Sequence, residues 1–111
     1  MLATEQLPLE VRVEMWVMDL IDALECSYAR QYPNSSDPVR FSTESGRKYW
    51  KIMQNHGGVH AFIDKKTGQV YKPASWRGPA KGVRYDLRII REREACLLNA
   101  DWAGGYLYMR G

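Results

Sequence analysis

The apolar and polar positions fall into three successive patterns. Over residues 9–32 the apolar residues Leu9, Val13, Trp16, Val17, Leu20, Leu24 and Tyr28 recur at helical spacing. At about 100° per residue they form one broad stripe, with Ile21 on its edge, which predicts an amphipathic helix. Glu10, Glu14, Asp19, Asp22 and Glu25 take the other side. Pro8 suits a first turn, and Thr4 or Gln6 is placed to precede it. Pro33 and the run NSSDP end the helix.

From residue 47 the period changes from 3.6 to two. Trp50 and Ile52 point one way; Tyr49, Lys51 and Met53 point the other. Residues 39–43 predict a short strand before this one, with a turn at 44–46. The run NHGG supplies a hairpin connection with two glycines. In VHAFID, Val59, Ala61 and Ile63 share a face, opposite His60, Phe62 and Asp64. DKKTG reads as a type I turn with Gly68 in the left-handed position, and QVYKP as a strand ending at Pro73. VRYDLRII alternates Val83, Tyr85, Leu87 and Ile89 against Arg84, Asp86 and Arg88, and predicts a further strand. Residues 91–100 read as a helix with Ala95, Leu98 and then Trp102 inward. Gly104 and Gly105 break it, leaving YLYM as an edge strand or a packed tail.

These patterns predict one α+β domain over residues 1–111: an N-terminal helix within 1–35, an antiparallel sheet of about four to five strands over 39–90, and a C-terminal helix and tail over 91–111. At 111 residues and 45% hydrophobic composition the chain can bury a core of its own. No apolar run approaches the roughly 18 residues that span a bilayer. MLATEQLPLE lacks the basic and apolar regions of a signal peptide, so no membrane role and a cytoplasmic location are expected. Cys26 and Cys96 make no zinc pattern and read as buried, reduced thiols. No cofactor or catalytic motif is recognisable.

Charge changes the picture most. Residues 47–84 carry nine cations, Arg47, Lys48, Lys51, Lys65, Lys66, Lys72, Arg77, Lys81 and Arg84, against the single acid Asp64. Residues 1–46 carry three basic and eight acidic residues, so a net charge of only +3 conceals strong segregation. Segregation of this kind points to a charged partner or to a complementary neighbour in the fold. The loop at 73–82 sets Trp76 among Arg77, Lys81 and Arg84. A tryptophan there can stack on a base while cations hold phosphates, or it can pack onto the sheet as a lid. GPAKG lacks the GxxxxGKS/T spacing of a phosphate-binding loop. His56 and His60 have no acidic or cysteine partner at ligand spacing, and read as a turn and a strand residue. Val11, Met15 and Met18 share the helix face opposite the main stripe, among acids. They form either a contact surface or a face that the C-terminal segment covers.

The strings GRKYWKI, VHAFIDKKTGQVYKPASW, GPAKGVRYDL and DWAGGYLY together resemble a group of small uncharacterised proteins from tailed bacteriophages. The resemblance covers residues 46–110 and leaves the first helix outside. It implies a viral source and action in the host cytoplasm, and brings no activity, catalytic residue or cofactor. The expectation is a non-enzymatic accessory protein that binds nucleic acid or another polyanion through the nine cations and Trp76. The alternative is a host or viral protein partner, or a homo-oligomer, held through Val11, Met15 and Met18. A small nucleotide-binding protein or enzyme using residues 76–84 is a third class.

Overall fold

The structure, a computed structural model, describes residues 7–108. Thr4 and Gln6, expected just before the first helix, lie outside them. Helix α1 (Leu9–Gln31) follows Pro8 and buries Val13, Trp16, Val17, Leu20, Ile21 and Leu24, the stripe that the spacing predicts. Strands β1 (Phe41–Ser45), β2 (Tyr49–Gln54), β3 (Gly57–Asp64), β4 (Gln69–Tyr71) and β5 (Tyr85–Asp86) pair antiparallel in sequential order as one sheet. Helix α2 (Ile90–Asn99) and a 3-10 turn at Gly105–Leu107 complete an α+β fold.

The register decides which side chains meet α1. Ser45, Trp50, Ile63, Val70 and Tyr85 lie in one row across the sheet, and Thr43, Ile52 and Ala61 in the next. Phe41, Ile52, Ala61, Ile63, Val70 and Tyr85 are buried in the same cluster as the α1 stripe. Fully burying each large aliphatic or aromatic side chain is worth about 1.5–3 kcal/mol, so this seam dominates the stability of the domain. Gly68 ends the β3–β4 turn at φ +72°, as the sequence predicts. A Cβ there would meet Leu87 Cβ and Val13 Cγ2 at 3.4 Å, an ordinary contact, so it is the left-handed backbone that favours glycine at this position.

Elsewhere the structure corrects the sequence reading. β1 starts at Phe41 rather than Val39 because side chains hold the preceding residues. Asn55 Oδ1 accepts the Arg40 N–H at 2.9 Å, and Glu25 accepts the Phe41 N–H at 2.9 Å. The strand expected over 83–90 pairs only at Tyr85–Asp86. There Asp86 accepts the N–H of Arg88 through its side chain and that of Ile89 through its carbonyl, which turns the chain into α2. Leu98 is not inward but 83% exposed, and Cys96 is the fully buried residue of α2. Two residues further along a helix is about 200° around it, so Cys96 and Leu98 cannot share a face. Cys26 is exposed, not buried. Of the two forms that the sequence allowed for the tail, the structure has the packed one, through Tyr106 and Leu107.

The largest departure is at His60. Ile52 pairs with Ala61 and Met53 with Val59, so His60 is the extra residue of a β-bulge. It leaves the face of Phe62 and Asp64 and turns inward. Its ring meets Phe41 edge-on at 5.1 Å, and its Nε2 shares a hydrogen bond with the Tyr106 hydroxyl at 2.8 Å. Burial lowers its pKa to about 4 from an ordinary 6.5, against the weaker upward pull of Asp101.

The native fold therefore holds a neutral ring that the unfolded chain protonates more readily. Its contribution is complete above pH 6.5 and is lost as pH falls towards 4. Between pH 7 and pH 4.5 this one group should remove about 2 kcal/mol of stability. Urea unfolding of wild type and His60→Gln at both pH values checks it. Equal losses in the two proteins would show that His60 is not the source.

Candidate functional site

The sheet face away from α1 carries Glu44, Lys51, Phe62 and Tyr71 in one row and Tyr49 and Asp64 in the next. None of these residues belongs to the core that the helices pack into. Phe62 is nonetheless only 2% exposed. Its cover is local: the Tyr49 ring at 5.9 Å and the Lys51 ammonium at 5.8 Å, with Tyr71 6.0 Å from Tyr49. A small aromatic cluster thus stands on a face that no helix covers.

The loop between β4 and β5 folds back towards this cluster. Pro73 and Pro79 pair as a bridge, and the Gly78 and Lys72 carbonyls accept the N–H groups of Ala74 and Ala80 at 3.0 and 2.9 Å. This hairpin carries Trp76 to 4.8 Å from Lys51 Nζ. Trp76 nevertheless remains 56% exposed, so it is not sealed onto the sheet. Arg77 and Lys81 project from the same loop into solvent.

At the other end of the sheet two hairpin turns lie side by side. The Lys48 carbonyl accepts the Lys65 N–H at 3.0 Å, and Lys65 Nζ bonds Ser45 Oγ. Arg47, Lys48, Lys65 and Lys66 therefore gather around a hollow of about 590 Å3, with Asp64, Thr67 and Glu10. Glu10 brings the first turn of α1, the positive end of its dipole, to the same place. Asp64 opposes the field only in part, since its Oδ1 accepts the N–H groups of Lys66 and Thr67 at 2.8 and 3.1 Å. Among the described residues, none of the four cations forms an ion pair. Lys48 and Lys65 rest instead on the rings of Tyr49 and Trp50, at 5.3 and 4.6 Å. A ring face holds an ammonium in place without cancelling its charge.

The nine cations do not share one surface. Lys48 and Lys51 lie by the rings of the uncovered face and Lys51 reaches Trp76; Arg47 and Lys66 stand at the hairpin turns at one end of the sheet, and Arg77 and Lys81 are exposed on the β4–β5 loop. Lys65 leans towards α1, and Lys72 lies over Tyr108 at 4.6 Å near the tail. Arg84 is half-buried, with its backbone N–H on the Val70 carbonyl at 2.7 Å. Lys51 pairs with Glu44 at 3.6 Å, but Glu44 is largely solvated and screens it weakly. Asp86, on the same face, is answered by Arg88, whose guanidinium hydrogen-bonds it at 2.9 and 3.2 Å and holds its carboxyl below the usual range. The sequence reading missed the rings of Tyr49, Phe62 and Tyr71. The alternation that put Tyr49 beside Lys51 was the available signal.

Val11, Met15 and Met18 are 42%, 40% and 49% exposed. Among the described residues no C-terminal segment covers them, which removes the intramolecular alternative. His56 lies in the β2–β3 turn and meets Asp37 at 3.1 Å, both in solvent. Among the described residues no three His, Cys, Asp or Glu side chains are placed to share a metal ion, and no helix is long and apolar enough to cross a membrane.

The chain belongs to a family of unknown function (DUF7717), whose model matches residues 3–109. No curated protein and no solved structure matches it.

Cations held on rings and hairpin tips, without carboxylate partners, contribute little to folding. The double variant Arg47→Gln, Lys66→Gln should unfold at the same temperature as wild type or slightly above it at low salt. The difference should vanish near 0.5 M salt, where the Debye length is only a few ångströms. Lys51→Ala should instead lower stability by about 1 kcal/mol, because its alkyl stem and ammonium cover Phe62. Thermal unfolding of the three proteins checks both; a clear drop in the double variant would make these cations structural.

Proposed function

We propose that the chain is a non-enzymatic accessory protein that binds nucleic acid, or another polyanion, across the uncovered sheet face. The observation that carries this reading is the pairing of an exposed aromatic residue with uncompensated charge. The Lys51 ammonium, screened only weakly by Glu44, lies over the exposed Trp76, and among the described residues the cations of the two turns and Arg77 and Lys81 of the loop form no ion pair. Phosphates are held by such cations with little regard to sequence, whereas an exposed ring needs an unpaired base to stack on. Single strands are therefore the preferred form. The resemblance of the motifs at 46–110 to tailed-phage proteins supports a viral accessory role in the host cytoplasm as part of the same proposal.

Fluorescence anisotropy with labelled single- and double-stranded oligonucleotides tests it. Contacts to about four phosphates give a slope of log K against log salt of roughly −3 to −4. Arg77→Ala with Lys81→Ala should weaken binding to all sequences and flatten that slope. Trp76→Ala should remove the preference for single strands, at about 1–3 kcal/mol per lost stack. An absence of binding to either form near 50 mM salt at micromolar protein ends the proposal, since non-specific binders register there.

The exposure of Val11, Met15 and Met18 favours a second reading, a protein contact through α1. The first form to test is self-association. Light scattering after size exclusion should show a wild-type oligomer that Met15→Glu, Met18→Glu converts to monomer. A monomeric wild type would confine this reading to a different protein as partner.

A further inference from the structure

A second recess lies at the opposite end of the sheet from the two basic turns, where the β2–β3 hairpin meets the tail. It is about 210 Å3 in volume, and Trp102, Tyr108, Gln54, His60, Gly57 and Gly58 are among the residues that line it. Small-molecule sites usually occupy about 300–1,000 Å3. A recess of this size holds one planar ring system and no more.

Its polar groups are fixed in advance. Gln54 gives its amide N–H to the Trp102 carbonyl at 3.2 Å, which orients the side chain and leaves its oxygen as an acceptor. The Trp102 ring is itself steadied, because its Nε1 donates to Gln31 at 2.7 Å and Tyr28 meets it edge-on at 5.2 Å. His60 is held by Tyr106 and stays neutral near pH 7. The two glycines leave open space: a Cβ at Gly57 or Gly58 would touch nothing within 4 Å. Lys72 places its ammonium 4.6 Å from the centre of the Tyr108 ring, so a cation stands beside an aromatic wall. A neighbouring hollow of about 220 Å3 shares Gly58, Val59 and Pro73 with this recess and ends at Trp76.

We propose that this recess is a nucleobase site, with Tyr108 and Trp102 flanking the ring, Gln54 reading its donor edge and Lys72 taking the adjacent phosphate. Two sources present that chemistry: a free mononucleotide, or the terminal nucleotide of a strand that crosses the sheet and passes Trp76. The second source rests on the function proposed above; the first does not. This site is distinct from the loop at 76–84, where the sequence placed its nucleotide-binding alternative.

The test is titration of the whole chain, followed by amide chemical shifts, with adenosine monophosphate, inorganic phosphate and a short single-stranded oligonucleotide. The expected result is a saturable shift at Gly57, Gly58 and Gly104 with the nucleotide and none with phosphate alone. Tyr108→Ala and Lys72→Ala should each weaken it about tenfold, which is 1.4 kcal/mol, while Trp76→Ala leaves it unchanged. Shifts there with the oligonucleotide alone assign the site to strand ends. Nucleotide shifts in a wild type that shows no oligonucleotide anisotropy end the sheet-face reading and keep this one, whereas anisotropy without any shift at these glycines does the reverse. No shift with nucleotide at about 10 mM or with oligonucleotide, or an equal shift with phosphate, overturns the proposal; weaker sites than this lie outside any specific affinity.

Discussion

The packing of α1 across one face of the sheet sets the terms for everything else. One helix stripe and one row pattern of strand residues bury each other, from Val13 and Leu20 on the helix to Ile52, Ile63 and Val70 on the strands. The tail and α2 then close the same side, with Cys96, Tyr106 and Leu107 buried there. A sheet whose second face has no helix must satisfy that face by itself. Here it does so with Tyr49, Phe62 and Tyr71 under the stem of Lys51, and with a loop hairpin that brings Trp76 alongside. The uncovered face is thus a consequence of the core, and its composition follows from having to meet water.

The manner in which the cations are held bears on what that face can do. An ion pair fixes a lysine but cancels its field, and a free lysine keeps its field but loses rotamer entropy on binding. A lysine over a ring lies between these limits. Four of the nine, Lys48, Lys51, Lys65 and Lys72, rest on Tyr49, Trp76, Trp50 and Tyr108. Each is partly ordered before any anion arrives, and except at Lys51 no carboxylate competes for it among the described residues. An anion that binds such a group meets a charge already in place.

Most of the architecture was legible because it depends on local period and on turn chemistry. The helix stripe, the meander and the left-handed Gly68 all follow from residues within a few positions of one another. What the sequence concealed depends on partners distant along the chain. The bulge at His60 exists only in relation to β2, and a one-residue slip there reverses the face of the histidine. The shortness of β5 comes from Asp86 capturing the N–H groups of Arg88 and Ile89 instead of leaving them to a ladder. The charge run was visible as composition, but its division was not. Lys65 and Lys72 left the uncovered face because each found a ring on the other side of the sheet, Trp50 and Tyr108.

The same layering separates the two charged regions in space. Glu10 and Glu25 aside, the acids of α1 are exposed to solvent, while Lys48 and Lys51 lie by the rings of the opposite sheet face. The exposed face of α1 is therefore the more acidic side of the domain. In the field of a polyanion the domain turns the sheet face inwards and α1 outwards, since like charge repels the acidic face from phosphates. That orientation leaves Val11, Met15 and Met18 facing solvent while the sheet is occupied. On the two readings proposed above, a protein contact through α1 and a nucleic-acid contact through the sheet would draw on opposite surfaces, and one chain would have room for both partners at once. Their coupling would pass only through the rigid core between them, and two sites on one rigid body bind almost independently.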